Sequence, residues 1–175
     1  MLDMNPIYKN TGAVRVRAAR PEDTAAIREI RNHAIEHSTA LWTRATHSSA
    51  EGTAWLAAHL ERGSAYVAEA DGTVAGFAVY GPWRELDGYR HTAEDSVYVR
   101  EGQQGLGIGS LLLDALIASA RAVGHHVLIA DIEAGNVSSI RLHERFGFRH
   151  VGTVPEVGTK FGRWLDLPIM RLSLI

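Results

Sequence analysis

Two stretches of this 175-residue chain have residue types and spacing suited to chemistry. The first is QQGLGIGSLLLDAL, residues 103–116, where Gly105, Gly107 and Gly109 alternate with other residues just ahead of leucines at helical spacing. The first turn of a helix leaves backbone N–H groups unpaired, and the aligned peptide dipoles put partial positive charge there. Glycines let the oxygens of an anionic ligand reach those N–H groups with no Cβ in the way. The stretch is a candidate pyrophosphate seat, or else simply a tight strand-to-helix turn. The dinucleotide fingerprint G-x-G-x-x-G fails, because Ser110 and Leu112 stand where it needs glycine, and the chain has no G-K-[S/T] phosphate loop.

The second stretch lies just upstream. HTAEDSVYVR reads as a strand, and period two puts Glu94, Ser96 and Tyr98 on one face with Asp95 on the other. A carboxylate facing a partly desolvated cleft can take a proton directly or through a water; the alternative is a solvated charge near a strand end. Before it, GPWRELDGYRH supplies Trp83, Arg84, Leu86 and Tyr89. Arginine grips a carboxylate with two parallel hydrogen bonds, and aromatic rings can wall an apolar side chain. The alternative is a surface loop with an incidental arginine. His33, Glu36 and His37 fit H-x-x-E-H, but without the context of a downstream acidic ligand, so no metal is expected.

These residues need a scaffold, and the composition supplies one. The chain is 46% hydrophobic and 22% charged, which suits a single globular domain. A net charge of −2 gives no electrostatic case for nucleic acid or an acidic membrane. With no cysteine, thiol nucleophiles, disulfides and zinc–thiolate sites are excluded. The N-terminus lacks a signal-peptide layout and no apolar run approaches a membrane span, so a cytoplasmic protein is expected.

Residues 1–13 read as a lead-in and 14–175 as the domain. VRVRA alternates apolar and basic residues, as a half-buried strand does. A helix follows with Ile27, Ile30 and Ala34 on one face. A second opens at Ser48, which has capping-box spacing to Glu51, and stops at Gly63. Asp71-Gly72 reads as a hairpin turn. The helix over 107–123 has an apolar face of Leu112, Leu113, Leu116, Ile117 and Ala120. The predicted order is β α α β β β α β α β β, an α/β sheet wrapped by about four helices.

Gln104-x-x-Gly107-x-Gly109 after the strand SVYVR resembles motif A of the GNAT superfamily of N-acetyltransferases. NVSSIRLHERFGF, residues 136–148, resembles the later family helix N-x-x-A-x-x-x-Y-x-x-x-G-F, with Ser139 in place of alanine and His143 in place of tyrosine. YGPWRELDGYRHTAEDSVYV and VGTKFGRWLDLPIMRL are similar to the phosphinothricin and methionine sulfoximine N-acetyltransferases, a branch that includes L-amino acid N-acyltransferases. The resemblance covers about residues 14–173.

It implies a single-domain GNAT fold: a mixed, mostly antiparallel sheet that splays after the cofactor-binding strand. It implies acetyl-CoA as cosubstrate, no metal, and direct attack by the α-amine of a small amino acid or analogue in a ternary complex. Polyamine, aminoglycoside and protein N-terminus acceptors are the alternatives, as is a non-catalytic coenzyme A module. The backbone of Val97, Tyr98 and Val99 would carry the pantetheine. Gln104, Gly105, Leu106, Gly107, Ile108, Gly109 and Ser110 would seat the pyrophosphate through backbone rather than a basic cluster. Asn136 matches a coenzyme-contacting position and also suits a helix N-cap. Glu94 matches the proposed base; His143 and Tyr98 compete as proton donor to the leaving thiolate. Trp83, Arg84, Leu86, Tyr89, Glu94 and Ser96 would meet the acceptor. KFGRW, residues 160–164, would close the site or face the second subunit of a homodimer.

Overall fold

Turn chemistry and helix caps divide the chain at the breaks the sequence places. The computed structural model describes residues 9–10 and 14–175, so most of the 1–13 lead-in lies outside the described residues. The part described, β1 (Lys9–Asn10), pairs with β2 (Val14–Ala18). Helices α1 (Thr24–His37) and α2 (Ser49–Glu61) follow. At the start of α2 the Ser48 hydroxyl accepts from the Glu51 N–H at 3.3 Å, and the Glu51 carboxylate accepts from the Ser48 N–H at 2.8 Å. This is the reciprocal cap that the spacing predicts. Strands β3 (Ala65–Ala70) and β4 (Thr73–Pro82) form a hairpin through Asp71 and Gly72, both at positive φ. That conformation matches the twist of the flanking strands.

The rest of the chain is β5 (Thr92–Val99), α3 (Ile108–Ala122), β6 (Val127–Asp131), α4 (Val137–Arg145), β7 (Arg149–Lys160) and β8 (Arg163–Ser173). The predicted order holds, with β1 added. Among the described residues the strands make one sheet in the order β1-β2-β3-β4-β5-β6-β8-β7. All neighbours are antiparallel except β5 and β6, which are parallel.

Each face of the sheet has its own core. On one, Leu112, Leu113, Leu116 and Ala120 of α3 pack with Tyr66, Ala78, Ala93 and Leu128. Full burial contributes roughly 1.5–3 kcal/mol for a leucine of this kind. On the other, Ile27, Ile30 and Leu56 of α1 and α2 pack with Val67, Phe77 and Val79. The alternation read in VRVRA breaks at Arg17, which is buried. Its guanidinium donates to both carboxylate oxygens of Asp23 at 2.7 and 2.8 Å and to Glu69 at 2.6 Å. A basic residue stays inside here because its donors find the two carboxylates and the Ala18 carbonyl, which ties β2 to β3 and to the turn before α1.

The parallel pairing sets up the site. It runs only through Thr92↔Val127, Ala93↔Leu128 and Glu94↔Ile129. Past Glu94, β5 keeps β4 as its neighbour while Ala130 and Asp131 of β6 stay with β8. The two strands splay, and one edge of β5 is left open from Asp95 to Val99.

Candidate active site

The open edge presents alternate residues only. The Thr92 carbonyl accepts from Trp83 N–H, and Arg100 N–H donates to Ala75 O at 2.8 Å, so the even residues of β5 spend their backbone groups on β4. The His91 carbonyl accepts from His126 N–H on the β6 side. By period two, Asp95, Val97 and Val99 turn N–H and C=O into the gap. This corrects one expectation. Of Val97, Tyr98 and Val99, the Tyr98 backbone faces β4, and Tyr98 meets the cleft with its side chain. The other two have the free groups that an extended ligand pairs with as a neighbouring strand would.

A cleft of about 1280 Å³ runs along this edge. Val97, Tyr98, Val99, Gln104, Gly105, Gly107, Ile108, Gly109, Ser110 and Asn136 all line it. Leu106 does not, and points outward, exposed. Gly107 is the N-cap of α3 at φ +80°. That is the left-handed region, where glycine carries no Cβ penalty. The first hydrogen bond of the helix is Leu111 N–H to Gly107 O, so the amides of Ile108, Gly109 and Ser110 stand ahead of the helical ladder, at its positive end. Open backbone donors beside glycines, in a cleft of this size, fit a pyrophosphate.

The fold also brings side chains to the glycine cleft that the glycine motif does not show. Arg100, Arg141, Arg145 and Arg163 line the same cleft, and the Arg145 guanidinium donates to the Ser110 hydroxyl at 3.4 Å. Arg141, Arg145 and Arg163 lie more than thirty residues past the glycines, and only the fold brings them in. Asn136 is the N-cap of α4, its side-chain oxygen accepting from Ser139 N–H at 3.2 Å. The cap uses the side-chain oxygen, and Asn136 lines the cleft.

One cleft wall is the segment after α1, and it is tied down from two sides. Lys160 Nζ donates to the carbonyls of Ser38 and Leu41, both at 2.6 Å, and the Thr39 hydroxyl donates to Glu133 at 2.8 Å. Gly158 lies against the Trp42 ring so closely that a Cβ there would collide with it. Phe161 and Arg163 of KFGRW line the cleft, while Trp164 is exposed.

His143 and Asp95 meet on the α3/α4 side of the sheet. The imidazole Nε2 lies 2.9 Å from Asp95 Oδ2 and Nδ1 lies 2.8 Å from the Ser139 carbonyl. Burial disfavours the imidazolium, but the Asp95 bond and charge and the Ser139 carbonyl outweigh it, and the pKa is raised. His143 is buried and is not among the cleft-lining residues. Tyr98 lies on the opposite face, in the cleft, stacked on Phe77 at 4.9 Å and hydrogen-bonded to Ser96. Burial pushes its phenol up to about 12, so it holds its proton at neutral pH.

Glu94 and Ser96 share the Tyr98 face. Burial, with the charges of Asp131 and Asp95, raises Glu94 to about 7 against a lowering by Arg84. Arg84 is exposed, with its guanidinium over the Trp83 ring at 4.6 Å, and Tyr89 meets Trp83 edge-on at 5.4 Å. Leu86 is 71% exposed, and its carbonyl accepts from Tyr89 N–H at 2.9 Å. Asp131 is not evident from motif spacing. It hydrogen-bonds Trp83 and is half-buried, and a lone acid closing the apolar run VLIAD was the available signal. Elsewhere, His33 pairs with Glu101 at 2.9 Å and His37 lies 3.8 Å from Glu36. Among the described residues no group of three or more His, Cys, Asp or Glu is placed to hold a metal.

Residues 25–148 match the Acetyltransferase (GNAT) family. The chain belongs to that family. This acetyltransferase is 47% identical to an L-methionine sulfoximine/L-methionine sulfone acetyltransferase of Salmonella typhimurium, over 91% of this chain and 94% of the relative. It is 37% identical to a phosphinothricin N-acetyltransferase of Streptomyces coelicolor, over 90% and 94%. Among solved structures it is similar to yncA, a putative acetyltransferase of Salmonella typhimurium determined with its cofactor acetyl-CoA. The TM-score is 0.91 and the identity 46%, covering 93% of this chain and 94% of that one. The fold and family read from the glycine motif and from YGPWRELDGYRHTAEDSVYV are therefore correct.

Proposed function

We propose that this acetyltransferase moves the acetyl group of acetyl-CoA onto the α-amine of a free amino acid or close analogue of the methionine sulfone, methionine sulfoximine or phosphinothricin type. One observation carries the acceptor class: a guanidinium, Arg84, lies over Trp83 within electrostatic reach of the raised carboxylate Glu94. An anion grip beside a base suits a molecule with a carboxylate next to its amine. The names of the relatives point the same way.

The roles divide by face. Val97 and Val99 hold the pantetheine by backbone hydrogen bonds, and a free N–H among them polarises the thioester carbonyl. The amides at the start of α3 hold the pyrophosphate with help from Arg145, and the Asn136 amide adds a contact. Glu94 takes a proton from the acceptor ammonium, directly or through a water, so that the amine attacks the thioester carbon. The thioester supplies the acetyl group, and holding both partners in one cleft supplies much of the acceleration. Tyr98, neutral and in the cleft, returns a proton to the departing thiolate. His143 has both nitrogens engaged and acts as a positioning residue that fixes α4 against β5. Exposed Val151, Val154, Val157 and Trp164 on the β7–β8 hairpin fit burial in a homodimer. A cytoplasmic location matches the supply of acetyl-CoA, and no helix of the described residues is long and apolar enough to cross a membrane.

The test is an acetyl-CoA consumption screen over amino acids, methionine sulfone, methionine sulfoximine and phosphinothricin, with polyamines, aminoglycosides and peptides alongside. Turnover confined to acceptors with a free α-carboxylate is expected. Turnover only with a polyamine or peptide overturns the reading.

A further inference from the structure

Asp131 sits where no other part of the mechanism uses it. Ile129 stands opposite Glu94 in the last parallel pair, so Asp131, two residues on, shares the face of Glu94 where the strands part. One of its oxygens, Oδ1, is buried with no hydrogen-bond partner, and its side chain accepts from Trp83. Burial, helped by the Asp95 charge, raises its carboxyl above the ordinary aspartate range, against a lowering by the Trp83 bond and the Arg84 charge. A buried acceptor oxygen left unmatched is costly to a fold unless a ligand supplies the donor.

We infer that Asp131 is the acceptor-ammonium binder: its unmatched Oδ1 takes a hydrogen bond from the substrate's cationic amine and presents that amine to Glu94, while Arg84 holds the adjacent carboxylate. The inference rests on the amino-acid reading above and deepens it. An ammonium brings three N–H donors, enough for Asp131, Glu94 and a water. Three charges then match a zwitterion in order, with the two carboxylates toward the amine and the guanidinium toward the acid. The same placement makes Asp131 a positioning residue for the base. Glu94 is faced by Asp131 from β6, Asp95 and Tyr98 from its own strand and Arg84 from the β4–β5 connection. Of these, Asp131 is the charge whose removal most relaxes the carboxyl toward ordinary acidity.

The experiment uses Asp131→Asn, which keeps the shape, and Asp131→Glu, which keeps the charge. In the first measurement, methionine sulfone is titrated against each protein. Asp131→Asn is expected to raise KM roughly ten- to a hundredfold, the scale of a hydrogen bond to a charged group, with kcat changed by less than about threefold. In the second, the Glu94 side-chain carboxyl is followed by carbon-13 NMR against pH with no acceptor present. Its midpoint is expected to fall in Asp131→Asn and to stay near that of the unmodified protein in Asp131→Glu. A KM that does not move overturns ammonium binding. A Glu94 midpoint that does not move in Asp131→Asn overturns the pairing of the two carboxylates. If the unmodified protein acetylates no amino acid, the acceptor reading fails and ammonium binding with it; the titration needs no acceptor and separates that failure from a wrong placement of Asp131.

Discussion

His143 and Asp95 form a buried pair across two elements, Nε2 to Oδ2 at 2.9 Å, with the other imidazole nitrogen held by the Ser139 carbonyl at 2.8 Å. A carbonyl only accepts, so Nδ1 carries a proton. The Asp95 bond and charge raise the His143 pKa and favour the protonated ring between α4 and β5. The side chains of both residues are almost fully buried. Removing one partner strands the other as an uncompensated charge, which costs about 3–5 kcal/mol.

Asp95→Asn and His143→Gln are therefore expected to lower stability by about 3–5 kcal/mol near pH 6. The folded-state pKa of His143 is raised. The stabilisation is complete below the ordinary histidine value and is lost as pH rises through the raised one. Urea denaturation at several pH values checks this: the gap between the unmodified protein and His143→Gln narrows toward alkaline pH. A gap constant with pH means that the ring is neutral in the fold. If His143 only positions α4, folded His143→Gln keeps most of its kcat, whereas Tyr98→Phe loses roughly a hundredfold, the lower end for a lost general acid.

Glu94 predicts the acid limb of the rate profile. A base must be deprotonated to act, so kcat/KM for methionine sulfone is expected to rise through about pH 7, where burial and its acidic neighbours place this carboxyl. Glu94→Gln removes that limb and lowers the rate above pH 7 by roughly 10²–10⁴, typical of losing a general base. Affinity for acetyl-CoA stays within about twofold, because Glu94 is not among the residues lining the glycine cleft. A limb that survives in Glu94→Gln assigns the titration to another group.

Gly107 reports on the pyrophosphate seat. Valine at this N-cap puts a branched side chain beside the open amides and meets a φ of +80° that a β-branched residue resists. Acetyl-CoA affinity measured by calorimetry is expected to fall at least about tenfold, or about 1.4 kcal/mol. Arg145→Ala, which leaves the backbone alone, gives a smaller loss that shrinks as salt is added. Unchanged affinity in both folded variants removes this loop from coenzyme binding.

Where function depends on local spacing, the sequence was readable. The capping box of α2, the Asp71-Gly72 turn, the alternation of Glu94, Ser96 and Tyr98 and the glycines before α3 all follow from neighbours a few residues apart. What escaped depends on chain crossings. Arg17 reads as a surface base until Asp23 and Glu69 arrive to bury it. Period two points Asp95 away from Glu94, but its partner His143 lies 48 residues on. Asp131 and Arg145 are ordinary charges until the parting of β5 and β6 puts Asp131 on the face of Glu94 and the packing of α4 brings Arg145 to the cleft.

Arg84 is the residue on which the acceptor class turns. It is exposed, so its charge is largely screened before substrate arrives. It already lies on the face of Trp83, and that placement lowers the entropy of forming two parallel bonds to a carboxylate. Docking an amino acid excludes water from that contact and turns a screened charge into a charge-assisted hydrogen bond, a class of interaction contributing about 1.5–3 kcal/mol. Because the guanidinium begins at the surface, the lower end of that range applies, roughly tenfold in kcat/KM. Methionine sulfone is therefore expected to outpace its carboxamide about tenfold in the unmodified protein. In Arg84→Ala the acid loses that advantage while the amide is nearly unaffected, since the amide never had the second charge to offer. The comparison is a double-mutant cycle with one partner on the substrate, and its coupling term isolates the guanidinium–carboxylate contact from any general disturbance of the β4–β5 connection. If the carboxamide reacts as fast as the acid in the unmodified protein, Arg84 does not grip a carboxylate, and a peptide or polyamine amine becomes the acceptor to pursue.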